Sequence, residues 1–311
     1  MKTMLTNSAN MKFIPIRKIN GFSLIELVAT ILISGVLAIG IVSFIADSVN
    51  GLTSSGNRNQ ISSAGRTALD RLAMELHNAL PNSVRATTAT AGGDQCIEFV
   101  PVRAATTYID PSFRGGGSTS FEVVDFLPSQ HGVSGGYAVI YPNRRSQLYD
   151  GDNGASAGWP NFPNRRPIQE ISAIADSASD DQSTVTLVKS HRFRRRSPNK
   201  RFFIVEDPIS YCVVDDKLYR YTNYGFYTNQ VSQEEESGVC EVATNQRCLP
   251  NYVATPDKML ITDSIDNTGL TAFRVSSQTL NRNALIALEF NFSANGDSII
   301  LNHEVLTRSV P

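Results

Sequence analysis

From Leu27 to Ile45 the chain carries no charged residue. The run is about 19 residues long, enough to cross the hydrocarbon core of a bilayer as a helix. Ser23 is placed to cap its start. Gly35 and Gly40 lie inside it, which membrane helices tolerate because glycine lets helices approach closely. The stretch Asn50-Gly51-Leu52-Thr53-Ser54-Ser55-Gly56-Asn57 is poor helix material and predicts a kink or a break. Helical spacing then returns: Ile61, Gly65, Leu69, Leu72, Leu76 and Leu80 recur every three or four residues. Arg58, Arg66, Asp70, Arg71 and Glu75 mostly take the other faces, and Pro81-Asn82 stops the pattern. A helix from Ser23 to Ala79 would run about 85 Å at 1.5 Å per residue. Its leucine stripe predicts packing on a β-sheet, with a coiled-coil partner as the alternative.

From Gln95 the pattern changes to β. Apolar, β-branched and aromatic runs alternate with Gly, Pro, Asn and Asp clusters. Strands are expected near 95–102, 121–127, 137–141, 183–189, 201–205, 209–214, 217–221, 270–275, 285–292 and 298–306. Asp215-Asp216 and Asn295-Gly296 read as tight hairpin turns. Pro142 to Asp181 reads as a long surface excursion with at most one helical turn, and Gln230 to Pro256 as a second insertion. One long helix followed by strands is an α+β architecture, with the helix laid on antiparallel sheet.

Charge gives the apolar run a direction. Lys12, Arg17 and Lys18 precede it and Asp47 follows, so the N-terminus is expected in the cytoplasm and the remainder exported. The junction Gly21-Phe22 lies before the apolar run, whereas a secretory signal is cut after its apolar segment. Glu26 is a carboxylate at the membrane end of the helix, where an unpaired charge costs on the order of 3 kcal/mol on insertion scales. Its presence asks for a partner; a plain anchor with a snorkelling glutamate is the other reading.

The string Gly21-Phe22-Ser23-Leu24-Ile25-Glu26-Leu27-Val28 resembles the class III leader of type IV prepilins and type II secretion pseudopilins. The resemblance implies a leader at 1–21, cut between Gly21 and Phe22 by a membrane-embedded prepilin peptidase that also methylates the amine of Phe22. Met1, Met4 and Met11 all remain possible starts for that leader. Glu26 would be the fifth residue of the mature chain, where its carboxylate pairs with the N-terminal amine of a neighbouring subunit. The domains that follow are a helix at 22–80, transmembrane over 27–45 and able to melt locally on assembly, and a β-rich periplasmic domain at 81–311. The implied fold is pilin-like. The implied partners are the peptidase, other major and minor pilins, an inner-membrane assembly platform and the membrane itself. Scattered phrases in the β-rich part also resemble the larger minor pilins of mannose-sensitive haemagglutinin pilus systems. They are Leu80-Pro81-Asn82-Ser83-Val84-Arg85, Cys96-Ile97-Glu98-Phe99, Ile209-Ser210-Tyr211-Cys212-Val213 and the ending His303-Glu304-Val305 with Arg308-Ser309-Val310-Pro311. A type II secretion pseudopilin, or an adhesive, ligand-binding tip module, is the alternative within the same architecture.

Composition changes this picture little. The 311 residues, 41% hydrophobic, can bury a core beyond the helix, and a net charge of −1 gives no global pull toward nucleic acid. The four cysteines, Cys96, Cys212, Cys240 and Cys248, all lie beyond the apolar run, and an even number in an exported domain favours disulfides. Cys240 and Cys248 are close in sequence within a polar insertion, so a bridge between them closes a short loop. Cys96 and Cys212 both sit in strand-like runs that could be neighbours. Cys240–Cys248 and Cys96–Cys212 are therefore the expected pairs, with buried thiols at Cys96 and Cys212 as the alternative.

Little else points to chemistry. His191-Arg192-Phe193-Arg194-Arg195-Arg196, with Lys200 and Arg201, is a basic cluster suited to anionic glycans or nucleic acid, to an acidic neighbouring subunit, or simply to solvent. Asp150-Gly151-Asp152-Asn153-Gly154 has calcium-loop oxygens without the downstream glutamate of an EF-hand. His77, His131, His191 and His303 form no HExxH pair, and Arg114-Gly115-Gly116-Gly117 lacks the Lys-Ser/Thr ending of a phosphate loop. No enzyme, cofactor or metal site is expected.

Overall fold

The computed structural model describes residues 21–87, 95–126, 135–149, 166–177, 181–226, 258–276 and 284–307. The chain divides into two compact units, Met1–Ser55 and Gly56–Pro311. Helix α1 spans Leu24–His77 and so belongs to both. Its first backbone bond runs from the Leu27 N–H to the carbonyl of Ser23 at 3.1 Å, which makes Ser23 the residue that flanks the helix start.

The expected break at 50–57 is absent: these residues are helical throughout. Small polar residues cost a few tenths of a kcal/mol each in a helix, but none removes a backbone donor as proline does. Their hydroxyls fold back onto the preceding turn, Ser48 Oγ to the Phe44 carbonyl at 2.7 Å and Thr53 Oγ1 to that of Val49 at 2.8 Å.

Among the described residues the second unit holds the strands, all paired antiparallel, in three sheets. One sheet has five strands in the order β1 (Arg85–Ala86), β2 (Gln95–Phe99), β9 (Ile209–Val214), β10 (Lys217–Tyr221) and β11 (Lys258–Thr262). A second has three in the order β12 (Phe273–Val275), β13 (Leu285–Ala294) and β14 (Asp297–Leu306). A third has six, in the order β3 (Val102–Thr107), β8 (Arg201–Val205), β5 (Tyr137–Val139), β6 (Ile168–Asp176), β7 (Gln182–His191) and β4 (Ser118–Val124). Its two edges meet through an isolated bridge, Tyr108 to Val123, so the sheet curls round on itself.

Within the second unit, the C-terminal half of α1 buries one stripe: Ile61, Gly65, Ala68, Leu69, Leu72, Ala73 and Leu76. These side chains share a core with Ile97 and Phe99 of β2, Tyr211 of β9, and Leu288, Phe290 and Phe292 of β13. Leu72 and Leu76 have no exposed surface, and burial of each is worth about 1.5–3 kcal/mol. Arg220 on β10 clasps the helix from the side, its Nε donating to both Glu75 oxygens at 3.1 and 3.0 Å. A second core fills the curled sheet, around Phe121, Ile171, Ile174, Val185, Phe193, Phe202 and Ile204.

Three strand expectations need correction. The run 95–102 is two strands in different sheets, parted at Val100-Pro101. Proline lacks the N–H a ladder needs, and the end of α1 docks at the gap: Leu80 N–H to the Val100 carbonyl at 2.7 Å, Val102 N–H to that of Asn78 at 2.9 Å. The stretch 142–181 contains the one short helix allowed for it, α2 (Arg145–Tyr149), but also the nine-residue β6, which was not expected. A bulge in β6 between Ile171 and Ala173 shifts its register, so Ile171 and Ile174, three residues apart, face the same core. That spacing hides the period-two signature. The strand expected at 270–275 is only Phe273–Val275, because Leu270 closes a turn onto Asn267. The two hairpins form as expected. Asp215, Asp216, Asn295 and Gly296 all take positive φ, as a two-residue type I′ turn requires.

The helix approaches β13 and β14 so closely that a Cβ on Gly65 would lie 2.8 Å from Leu301 Cδ1 and from the Phe292 ring. At Gly56 a Cβ meets nothing within 4 Å. Gly65→Ala should therefore lower stability by about 1–3 kcal/mol through overpacking. Gly56→Ala should raise it by up to about 1 kcal/mol through helix propensity. Urea unfolding of the detergent-solubilised chain measures both; equal effects would contradict the close approach.

Candidate functional site

The N-terminal end of α1 has two unusual properties. Gly21, Phe22 and Ser23 precede the helix and are exposed. A Cβ on Gly21 would meet nothing within 4 Å. The fold itself makes no demand for glycine there, so any such demand comes from a molecule that handles the Gly21-Phe22 peptide. Glu26 then lies in the first helical turn, where the partial positive charge of the exposed N–H groups favours a carboxylate. Among the described residues it has no hydrogen bond or ion pair.

Beyond Glu26 the apolar residues are uncovered. Phe22 is 73% exposed and Leu24 82%, and every residue from Leu27 to Ile45 is classed as exposed. A monomeric soluble protein rarely shows an apolar surface of that extent. Among the described residues α1 is the one helix long and apolar enough to cross a membrane, consistent with a single-pass membrane protein.

The remaining candidates are placed as follows. Cys96 and Cys212 stand opposite each other on β2 and β9 and are joined by a disulfide. Cys240, Cys248 and the oxygen-rich turn Asp150 to Gly154 lie outside the described residues. No group of three or more His, Cys, Asp or Glu among the described residues is arranged to hold a metal. The basic cluster is split by burial: His191 and Phe193 are buried, while Arg194, Arg195 and Arg196 face solvent. Burial pushes the His191 imidazole below its ordinary value, partly offset by the Arg166 carbonyl 3.0 Å from Nε2. It is thus a core group rather than one of the cluster's charges at neutral pH.

Gly132-Val133-Ser134-Gly135-Gly136 spells G-x-S-x-G. A nucleophile elbow needs a strand before the serine and a helix after it. Here Gly135 and Gly136 take positive φ and lead straight into β5. The order is wrong for an elbow.

One further polar group was not foreseen. Glu98 on β2 has no exposed surface and accepts from Arg85 Nε at 2.8 Å across the β1–β2 ladder. The Arg85 guanidinium sits 3.7 Å from the centre of the Tyr149 ring, and the Tyr149 hydroxyl donates to the Ser83 carbonyl at 2.8 Å. Tyr224 and Ser210 share a hydrogen bond at 2.7 Å nearby. The second Glu98 oxygen, Oε1, has no hydrogen-bond partner among the described residues. Burial raises the Glu98 pKa above its ordinary value, and Arg85 opposes that shift without cancelling it. The signal in the sequence was Arg85 and Glu98 in short apolar runs, which no periodicity argument singles out. The group braces β1 against β2.

Residues 16–42 match the prokaryotic N-terminal methylation motif, characteristic of prepilin-like proteins. The match spans Gly21, Phe22, Glu26 and most of the apolar run. No curated protein and no solved structure matches the chain.

The Glu98 shift sets a pH dependence. A carboxyl whose folded pKa is raised favours the folded state while protonated, below its ordinary value near 4.5. That contribution is lost as pH rises through the folded pKa. Glu98→Gln should flatten this part of the stability profile. Thermal midpoints measured from pH 4 upward test it, and an unchanged slope in the variant would assign the dependence to other groups.

Proposed function

We propose that this chain is a minor pilin, a subunit of a type IV pilus that acts through assembly contacts rather than turnover. The methylation motif carries the reading, because it brings Gly21-Phe22, Glu26 and a fully uncovered apolar helix together at fixed offsets. In this reading residues 1–21 are a leader, the helix anchors the subunit in the inner membrane with its N-terminus cytoplasmic, and the β-rich domain lies in the periplasm. A prepilin peptidase cuts after Gly21 and methylates Phe22. The helix then docks laterally against major and minor pilins at an assembly platform and is drawn from the bilayer into a filament on the cell surface.

Glu26 supplies the directional element. In hydrocarbon its charge is costly, and the N-terminal amine of an adjacent subunit offsets that cost only where two helices lie in one register. The finer assignment is to initiation or the tip of a mannose-sensitive haemagglutinin-type pilus. It rests on the short phrases from Leu80 to Pro311 that are similar to the MshO minor pilin. The type II secretion pseudopilin shares the motif and differs in the machine served. Deleting the gene and scoring surface pili against secreted enzymes separates the two.

Processing gives the first test. Mass spectrometry of the membrane-extracted protein should find Phe22 as the N-terminal residue carrying one methyl group, and Gly21→Val should block the cut. An intact leader in cells with active prepilin peptidase would refute the reading. Glu26 gives the second. Glu26→Ala should leave cleavage and membrane insertion unchanged while reducing incorporation into sheared pili by on the order of tenfold, the ratio for the loss of about 1.4 kcal/mol. Normal incorporation would leave Glu26 as an interfacial anchor residue only.

A further inference from the structure

We propose that the arginine surface on the loop between β7 and β8 binds an acidic polysaccharide. The loop is fixed at two points. Phe193 is buried in the core of the curled sheet, edge-on to Phe121 with ring centres 5.6 Å apart. Ser197 is buried four residues later. It is held by the Tyr108 hydroxyl, which accepts from the Ser197 N–H at 3.0 Å. Ser197 in turn organises the following turn, its carbonyl accepting from Lys200 N–H at 3.1 Å and its Oγ from Arg201 N–H at 3.2 Å. With both ends held inside, Arg194, Arg195 and Arg196 stand outside.

A second loop joins the same surface. The Phe193 N–H donates to the Ser112 carbonyl at 2.9 Å, and Arg192 Nη1 to that of Gly115 at 3.1 Å. The Arg196 guanidinium lies 5.2 Å from the centre of the Phe113 ring. Arg114 is thereby set beside the arginines of the first loop. Arg114, Arg194, Arg195 and Lys200 form no ion pair among the described residues. Asp110 is the nearest carboxylate in sequence on this loop and is exposed. Like charges held on a rigid turn repel one another and concentrate counter-ions. A fixed polyanion relieves that repulsion.

The chemistry of the surroundings selects the kind of polyanion. Guanidinium forks match carboxylate and sulfate in two-pronged geometry. Single-stranded nucleic acid needs an open aromatic face for its bases, but Phe193 and Tyr108 are buried and Phe113 lies under Arg196. Base-specific reading of duplex DNA needs a helix or ribbon that enters a groove, and this surface is two short loops, so duplex DNA could be held only through its phosphates. Around the arginines stand the hydroxyls of Ser112, Ser118 and Ser190, each donating to a nearby backbone carbonyl. Their oxygens remain able to accept from sugar hydroxyls. A Cβ on Gly115 or Gly116 would meet nothing within 4 Å, so a bulky polymer can approach the backbone there. The choice of a glycan over other anions rests on the proposed export of the domain; binding by the purified chain does not.

The test uses the full chain in detergent micelles, with heparin and alginate as sulfated and carboxylated probes. Dextran is the neutral probe, and duplex DNA is assayed at matched charge. The expected result is binding to at least one acidic glycan that weakens steeply with salt. Arg194→Glu with Arg195→Glu should weaken it at least tenfold, and Arg58→Glu on the helix less than about twofold. If the double variant does not fold, Arg194→Gln alone should weaken binding about threefold. The proposal is overturned by failure to bind either acidic glycan or by equal losses in the helix and loop variants. Dextran bound as well as the acidic probes overturns it too, as does DNA bound as tightly as the glycan.

Discussion

Everything in this chain depends on where the apolar side chains of one helix find cover. From Gly56 to His77 the protein supplies that cover itself, through β2, β9 and β13. From Leu24 to Leu52 it supplies none. The same helix is thus half satisfied internally and half dependent on something else. At about 25 cal/mol for each Å² of apolar surface removed from water, that second half cannot remain in solvent without aggregation. A membrane satisfies it, and so does a bundle of identical helices. A subunit that passes from one to the other exchanges one apolar environment for another. Only the polar end, with Glu26, registers the difference.

The globular unit is braced where the helix meets it. Pro101 parts β2 from β3, and the last turn of α1 fills the parting with backbone bonds through Asn78 and Leu80. The disulfide between Cys96 and Cys212 ties β2 to β9, the strands that form the floor beneath the leucine stripe. A loop of that length is typically worth about 3–5 kcal/mol in the entropic account. On the other face of β2, Arg85 and Glu98 are buried as a pair. Buried pairs add little net stability but are costly to break singly.

How much of this was readable in advance follows the physics of each signal. The uncharged run and the Gly21–Val28 string were legible because a bilayer tolerates few sequences and a peptidase fewer. The strands 201–205, 209–214 and 217–221 were legible in full, since their apolar runs are bounded by turn residues with distinct φ preferences. β6 was not, because its bulge broke the period. The two-strand nature of 95–102 was signalled by Pro101 but outweighed by the apolar and aromatic residues on both sides of it, Ile97, Phe99, Val100 and Val102. The helical continuity of 50–57 reversed an argument from propensity, which is worth only tenths of a kcal/mol per residue and yields to context. Among the candidate residues, the motif holding Gly21, Phe22 and Glu26 was visible because it is defined by offsets along the chain. The bracing pair of Arg85 and Glu98 was invisible because it depends on strand register.

The two charged features also obey different dielectric rules. In the proposed assembly Glu26 would lie where water is scarce, so a single partner charge would be strong and a mismatch by one helical turn expensive. The arginines at 194–196 stand in water, where each contact is weak and screened by salt, so selectivity must come from several acting together on a rigid turn. Phe193 and Ser197 supply that rigidity by holding the loop at both ends. A chain that used the Glu26 carboxylate for ordering and its clustered cations for capture would keep the two tasks from interfering. In the proposed arrangement a change in external salt would loosen the glycan contact while leaving a Glu26–amine pair in hydrocarbon almost untouched.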